Sequence, residues 1–252
     1  MHHQHIFKVD DLSTYPEALK ALFTEYLPIL HEYFEDVEIY DYYDAHIAFD
    51  ATVFLLNPKL DELFHRAWNI LRDWKIYAYH NTRVTSVAEV KNHGLMLLEP
   101  DVYCKRMRDI FLGSPFASEM DSLLVRFDPF LSDVRGRRTG LLAFFVPYHL
   151  VHDYNKFVGN VGGEVSEFAF YNRLDVLGYL SDVGIPVTVE FTVPLTQIVS
   201  YRHEMILSEL IRKFYCETQL NFEYWVGFDA ATEHAIDPEN ILRVIPYEAQ
   251  GV

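Results

Sequence analysis

The chain has 252 residues, half of them apolar and 15% aromatic, a globular composition that excludes a disordered or low-complexity chain. Its 37 acidic and 21 basic side chains leave a net charge of −16. That field repels phosphate backbones and argues against nucleic acid as a partner, so the acidic balance reads as solubility or as a surface for a basic partner.

No apolar run reaches the roughly 20 residues that span a bilayer, so no membrane partner is expected. The opening MHHQHIFKVDD lacks a positive region followed by an apolar one, so no secretion signal is expected. Cys104 and Cys216 stand far apart and in no metal spacing, and a cytoplasmic protein without disulfides is the expectation.

In chain order, residues 14–35 place Leu19, Phe23, Tyr26 and Leu30 at helical spacing, which predicts an amphipathic helix kinked or divided at Pro28. Residues 37–56 alternate through Ile47, Phe49, Ala51 and Val53 and predict two strands turning at Tyr43-Asp44. Residues 59–73 return to helical spacing through Leu60, Leu63, Phe64, Ala67, Ile70 and Leu71. The first 73 residues thus read as a small α+β extension.

Ile76 to His80 alternate as a strand, and Thr85-Ser86 with Glu89 is an N-cap followed by a first-turn acid. The helix ends at His93-Gly94, with glycine at the expected C′ position. Residues 101–112 and 117–131 read as helices with outward charges. Residues 132–140 (SDVRGRRTG) form a polar loop whose Arg135, Arg137 and Arg138 either hold an anion or are simply solvated. LLAFFVPYHLV is the continuous apolar run of a strand buried on both faces. A loop with three glycines follows, then a strand or short helix. In GIPVTVEFTVPL, Val187, Val189, Phe191 and Val193 face one way and Thr188, Glu190 and Thr192 face the other. Residues 203–216 predict an amphipathic helix, and residues 236–247 a cap, a turn and a last strand.

His80 ends its strand beside a helix start, where a backbone can hold an anionic group, and a neutral imidazole can bond a ribose hydroxyl. A satisfied structural histidine is the alternative. Gly162-Gly163-Glu164 lets the backbone approach a ligand and displays the carboxylate, unless it is an ordinary turn. Glu190 is a further acid, or a solvent-facing strand residue. His149 and His152 lie three apart on a strand, which turns them to opposite faces, and no third ligand is evident; no metal site is expected.

The run HNTRVTSVAEVKNHGL resembles the first motif of ADP-ribosyltransferases of the diphtheria-toxin-like, H-Y-E type, with His-x-Thr on a strand and Gly-Leu ending the next helix. The later LLAFFV, GGE and GIPVTVEFTVP are similar, in the same order, to a set of bacterial proteins. The resemblance covers about residues 75–246. It implies an α+β fold with a split, mostly antiparallel sheet over 74–252, with residues 1–73 as an extension. It implies NAD as the small-molecule substrate, bound by His80, Asn81, Thr82, Arg83, Phe145, Tyr148, Gly162 and Gly163. His80 and Thr82 would hold the adenine-side ribose, and Glu164 would be the catalytic glutamate at the nicotinamide ribose, with His80 also in the catalytic set. The family's middle Tyr or Ser-Thr-Ser is not plain here; Phe145 and Tyr148 are the candidates for the stacking wall, with Tyr103 behind them, and Glu167 and Glu190 compete with Glu164. The implied activity is transfer of ADP-ribose to a macromolecular acceptor or to water. A non-catalytic binding protein that uses the same cleft or the acidic surface is the alternative. The sequence leaves the acceptor and the oligomeric state open.

Overall fold

The computed structural model describes residues 5–35, 58–97, 99–126, 142–146, 166–167, 169–199, 203–226 and 229–246. The fold class is α+β, as expected: six strands and eight α-helices are found among these residues. The contacts gather the chain into two units. Met1–Tyr77 with Val193–Ala230 make the first, and Ala78–Thr192 with Ala231–Val252 the second.

In the first unit, strand β1 (Ile6–Phe7) pairs in parallel with the start of β2 (Lys75–Val84). Helices α1 (Glu17–Glu25) and α2 (Leu27–Glu35) are separated at Tyr26, two residues before Pro28. The proline lacks the N–H that would continue the ladder, so the predicted division occurs. Leu19, Phe23, Tyr26 and Leu30 are all buried. Helix α3 (Pro58–Leu71) packs against α1 and buries Leu60, Leu63, Phe64, Ala67 and Leu71, each worth roughly 1–3 kcal/mol of burial. The predicted hairpin over 37–56 lies outside the described residues.

The second unit holds α4 (Val87–His93), α5 (Pro100–Leu112), α6 (Met120–Val125), β3 (Leu142–Phe145), α7 (Leu174–Asp182), β4 (Ile185–Pro194) up to Thr192, and β6 (Ile241–Pro246). Strand β5 (Asp229–Thr232) straddles the third boundary between units, at Ala230/Ala231. The sheet order is β5-β3-β2-β4-β6, and the pairs β2/β3 and β4/β6 are antiparallel. Tyr103, Met107, Phe111, Leu123, Phe170, Val176 and Leu180 form one apolar cluster that joins α5, α6 and α7.

Residues 193–230 group with the N-terminal residues, helix α8 (His203–Gln219) packing against α1 and α3. Two sequence expectations change. Helix α8 is not amphipathic. Every residue from Ile206 to Cys216 is buried, and its charges are paired internally: Arg212 with Glu209 and the Tyr224 hydroxyl, Lys213 with Glu217. Last, β3 is not covered on both sides, since Leu142 and Phe144 are buried but Ala143 between them is exposed.

Candidate functional site

Ser86 caps α4 with its hydroxyl, which accepts from the Ala88 N–H at 3.2 Å, and Thr85 donates to Glu89 at 2.8 Å. At the other end, Gly94 adopts φ +75 and its N–H donates to Val90. Leu95 and Ile236 then exchange both backbone hydrogen bonds, at 3.0 and 2.9 Å. The Gly-Leu pair therefore fastens the helix end to the chain between β5 and β6. Only glycine permits this approach, because a Cβ at residue 94 would stand 1.8 Å from the Ile236 carbonyl oxygen.

On β2 the side chains alternate between faces. Asn81 is buried, and its Oδ1 accepts from the Thr188 hydroxyl of β4 at 2.9 Å. The Arg83 guanidinium donates to the Gly184 carbonyl at 3.0 Å, where Gly184 takes φ +77 beside Val84. Both residues were expected in the cofactor site. Both instead hold β4 and the turn before it, on the face opposite His80.

His80 and Thr82 occupy the other face, two residues apart, and both are half-buried. The His80 Nδ1 lies 2.8 Å from the Ala143 carbonyl oxygen of β3. Among the described residues the β2/β3 partner pair is Tyr79 with Phe145, an antiparallel register that brings Ala143 opposite Asn81, next to His80. A carbonyl only accepts, so Nδ1 must carry a proton and the lone pair of the neutral ring is on Nε2. Burial pushes the imidazole pKa below the ordinary histidine value, and the bond to Ala143 opposes this with a smaller upward effect. The ring is neutral near pH 7.

The acids separate. Glu190 follows Thr188 by two residues and so shares the Asn81 face; it is 3% exposed and ion-paired with Arg243, its cross-strand partner on β6. It is neither a solvent-facing residue nor a partner for His80, because β4 is a central strand covered on both faces. Glu167 is exposed, and its neighbour Ser166 is fully buried and bonded to the Tyr103 hydroxyl at 2.8 Å. Tyr103 sits in the apolar cluster of α5, with its hydroxyl pKa raised by burial, and is no stacking wall. Glu164, Gly162, Gly163 and Tyr148 lie outside the described residues, as do Arg135, Arg137, Arg138, His149 and His152. Of Phe145, only its backbone pairing is described.

Two groups on the His80 face carried no sequence signal. The Ala143 carbonyl is a backbone atom, and Phe144 is identified only by its edge-to-face contact with Phe191 at 5.5 Å, a residue on the side of β4 opposite Thr188. Among the described residues no three His, Cys, Asp or Glu side chains are placed to hold a metal ion, and no helix is long and apolar enough to cross a membrane. No protein-family model matches the chain, and no curated protein or solved structure is found to be similar to it.

Proposed function

We propose that the protein binds NAD against the sheet face that carries His80 and Thr82 and cleaves the nicotinamide–ribose bond, either as an ADP-ribosyltransferase or as an NAD glycohydrolase. One observation carries this reading. Of the four consecutive residues expected to touch the nucleotide, Asn81 and Arg83 are engaged within the sheet, whereas His80 and Thr82 share one face with His80 held in a single orientation. An acceptor nitrogen beside a hydroxyl suits the vicinal hydroxyls of a ribose, which both donate and accept. The neutral imidazole adds no charge to a substrate that is already anionic.

Cleavage of the nicotinamide bond builds oxocarbenium character on the ribose, and a fixed carboxylate stabilises that charge more in the transition state than in the ground state. With Glu190 turned to the other face and paired with Arg243, Glu164 is the carboxylate assigned to this task. Nicotinamide is a good leaving group, so positioning and electrostatics carry most of the catalysis. The ADP-ribose passes to water or to a macromolecular acceptor. Incubating the wild type and Glu164→Gln with labelled NAD tests the reading. Nicotinamide release by the wild type and its loss in the variant are expected; absence of both NAD binding and nicotinamide release in the wild type overturns it.

A second reading, nucleotide binding without cleavage, is favoured by the placement of Glu190, the one acid on a described strand that the sequence put forward. Bound NAD that stays intact in the same incubation would select it.

A further inference from the structure

Three large apolar side chains follow α8 within six positions, and all three are exposed: Leu220, Phe222 and Trp225, at 38, 49 and 51%. The segment that carries them is tied down. Asn221 takes φ +50, a left-handed turn that asparagine tolerates, and the N–H groups of Leu220 and Phe222 both donate to the Cys216 carbonyl, at 3.2 and 3.0 Å. Tyr224 then turns inward between the exposed residues. Its hydroxyl accepts from Arg212 at 3.1 Å and donates to Glu209 at 3.2 Å, and its carbonyl accepts from the Lys213 ammonium at 3.2 Å. Burial raises the pKa of that hydroxyl, so it keeps the proton it donates. The buried charges of α8 thus hold residues 220–226 from beneath, and Phe222, Glu223 and Trp225 stand exposed around the anchor.

We propose that residues 220–226 are a preformed docking surface for a cationic protein segment, which seats an apolar or aromatic side chain against Phe222 and Trp225 and sets Lys or Arg beside Glu223. The inference is independent of the NAD reading. Charge chooses the partner. From residue 214 to residue 230 the chain has three acids, Glu217, Glu223 and Asp229, and neither Lys nor Arg. The two cations just before them, Arg212 and Lys213, are buried and tied to Glu209, Glu217 and Tyr224, so they offer nothing to an anionic partner. A second copy of the chain would bring the same acids and another net charge of −16 to the contact. Three apolar side chains also fall well short of the roughly 800 Å² per partner that a stable dimer buries. An anionic lipid surface is repelled in the same way as a second copy. Exposed tryptophan concentrates binding energy, and a segment fixed before binding loses less conformational entropy than a mobile one.

The test titrates the full chain with synthetic peptides: one of Lys, Leu and Phe, the same peptide with Glu in place of Lys, and a third with Ser in place of Leu and Phe. Tryptophan fluorescence reports contact, and Trp225→Phe identifies the share of Trp225 among the three tryptophans. Only the Lys-Leu-Phe peptide is expected to shift Trp225 emission to the blue, with an affinity that falls as salt rises. Phe222→Ser should weaken binding roughly tenfold or more. Tyr224→Phe, which removes both hydroxyl bonds and keeps every exposed apolar group, should weaken it severalfold by releasing the anchor. Leu174→Ser, at an exposed apolar position of α7, is the control and leaves binding unchanged. Equal binding by Phe222→Ser and wild type would show attraction by charge alone and overturns the proposal, as does the absence of any Trp225 shift with the Lys-Leu-Phe peptide. A blue shift with phosphatidylserine–phosphatidylcholine vesicles and none with that peptide overturns it in favour of a lipid surface. A dimer in sedimentation that Phe222→Ser abolishes overturns it in favour of a second copy. The fluorescence shift is read on the wild-type chain, so the outcome does not depend on a variant folding.

Discussion

Replacing Gly94 by alanine probes the junction that ends α4. The new Cβ would stand 1.8 Å from the Ile236 carbonyl oxygen and 3.0 Å from its carbon, so one backbone must move. The Ile236 carbonyl accepts from Leu95, and the Ile236 N–H donates back to Leu95, so relief of the overlap strains two hydrogen bonds of about 1 kcal/mol each. The conformation itself, φ +75 and ψ −156, lies in a region nearly reserved for glycine and adds about 1–3 kcal/mol. The expected loss is thus about 3–5 kcal/mol, equivalent to a fall in melting temperature of about 6–20 °C for a chain of this size. Gly113, at the end of α5, is the control: it has negative φ and nothing within 4 Å of its Cβ position, so its alanine variant should change stability by about 0.5 kcal/mol or less. Urea and thermal unfolding followed by circular dichroism measure both. Equal stabilities for the two variants would show that the Leu95–Ile236 junction yields freely, and the reasoning would fail.

Arg243→Ala leaves the buried Glu190 carboxylate without its partner, and because the Arg243 side chain is 66% exposed, water partly replaces it; a loss of about 1–3 kcal/mol in urea unfolding is expected, and no loss would mean that Glu190 is solvated. Thr188→Val removes the donor to Asn81 and should destabilise by about 1 kcal/mol, read by the same unfolding curves. The His80 pKa is lowered in the folded state, so the unfolded chain binds the proton more readily. The histidine's contribution is then complete above about pH 6.5 and is lost as pH falls towards the folded-state value. His80→Gln should flatten that part of the stability–pH profile, and a parallel profile would contradict the depressed value. Burial pushes the Cys216 thiol up to about 11, so native protein at mildly alkaline pH should leave Cys216 unmodified by iodoacetamide while urea exposes it; mass spectrometry of the peptides reports this.

Local signals were legible where they act locally. The capping of α4 by Ser86, the glycine at its end, the break before Pro28 and the alternation of β4 are each a matter of a few neighbouring residues, and each appears in the structure. What could not be read was pairing across the chain. Thr188 and Glu190 look like solvated positions until Asn81 and Arg243 are brought opposite them, and α8 looks amphipathic until its charges are seen to satisfy one another. In the candidate site, strand alternation puts His80 and Thr82 on one face of β2. The same alternation turns Asn81 and Arg83 the other way, towards Thr188 and Gly184. The Ala143 carbonyl, which sets the polarity of His80, belongs to the backbone and leaves no trace in residue types.

The return of residues 193–230 to the first unit gives the chain an order of completion during synthesis. Residues 1–77 leave the ribosome long before α8, the helix that packs against α1 and α3. The core of the first unit therefore waits for more than a hundred intervening residues, while α5 to α7 and their apolar cluster can assemble in the meantime. The last strand of the second unit, β6, is made after α8, so neither unit can be finished before the other has begun.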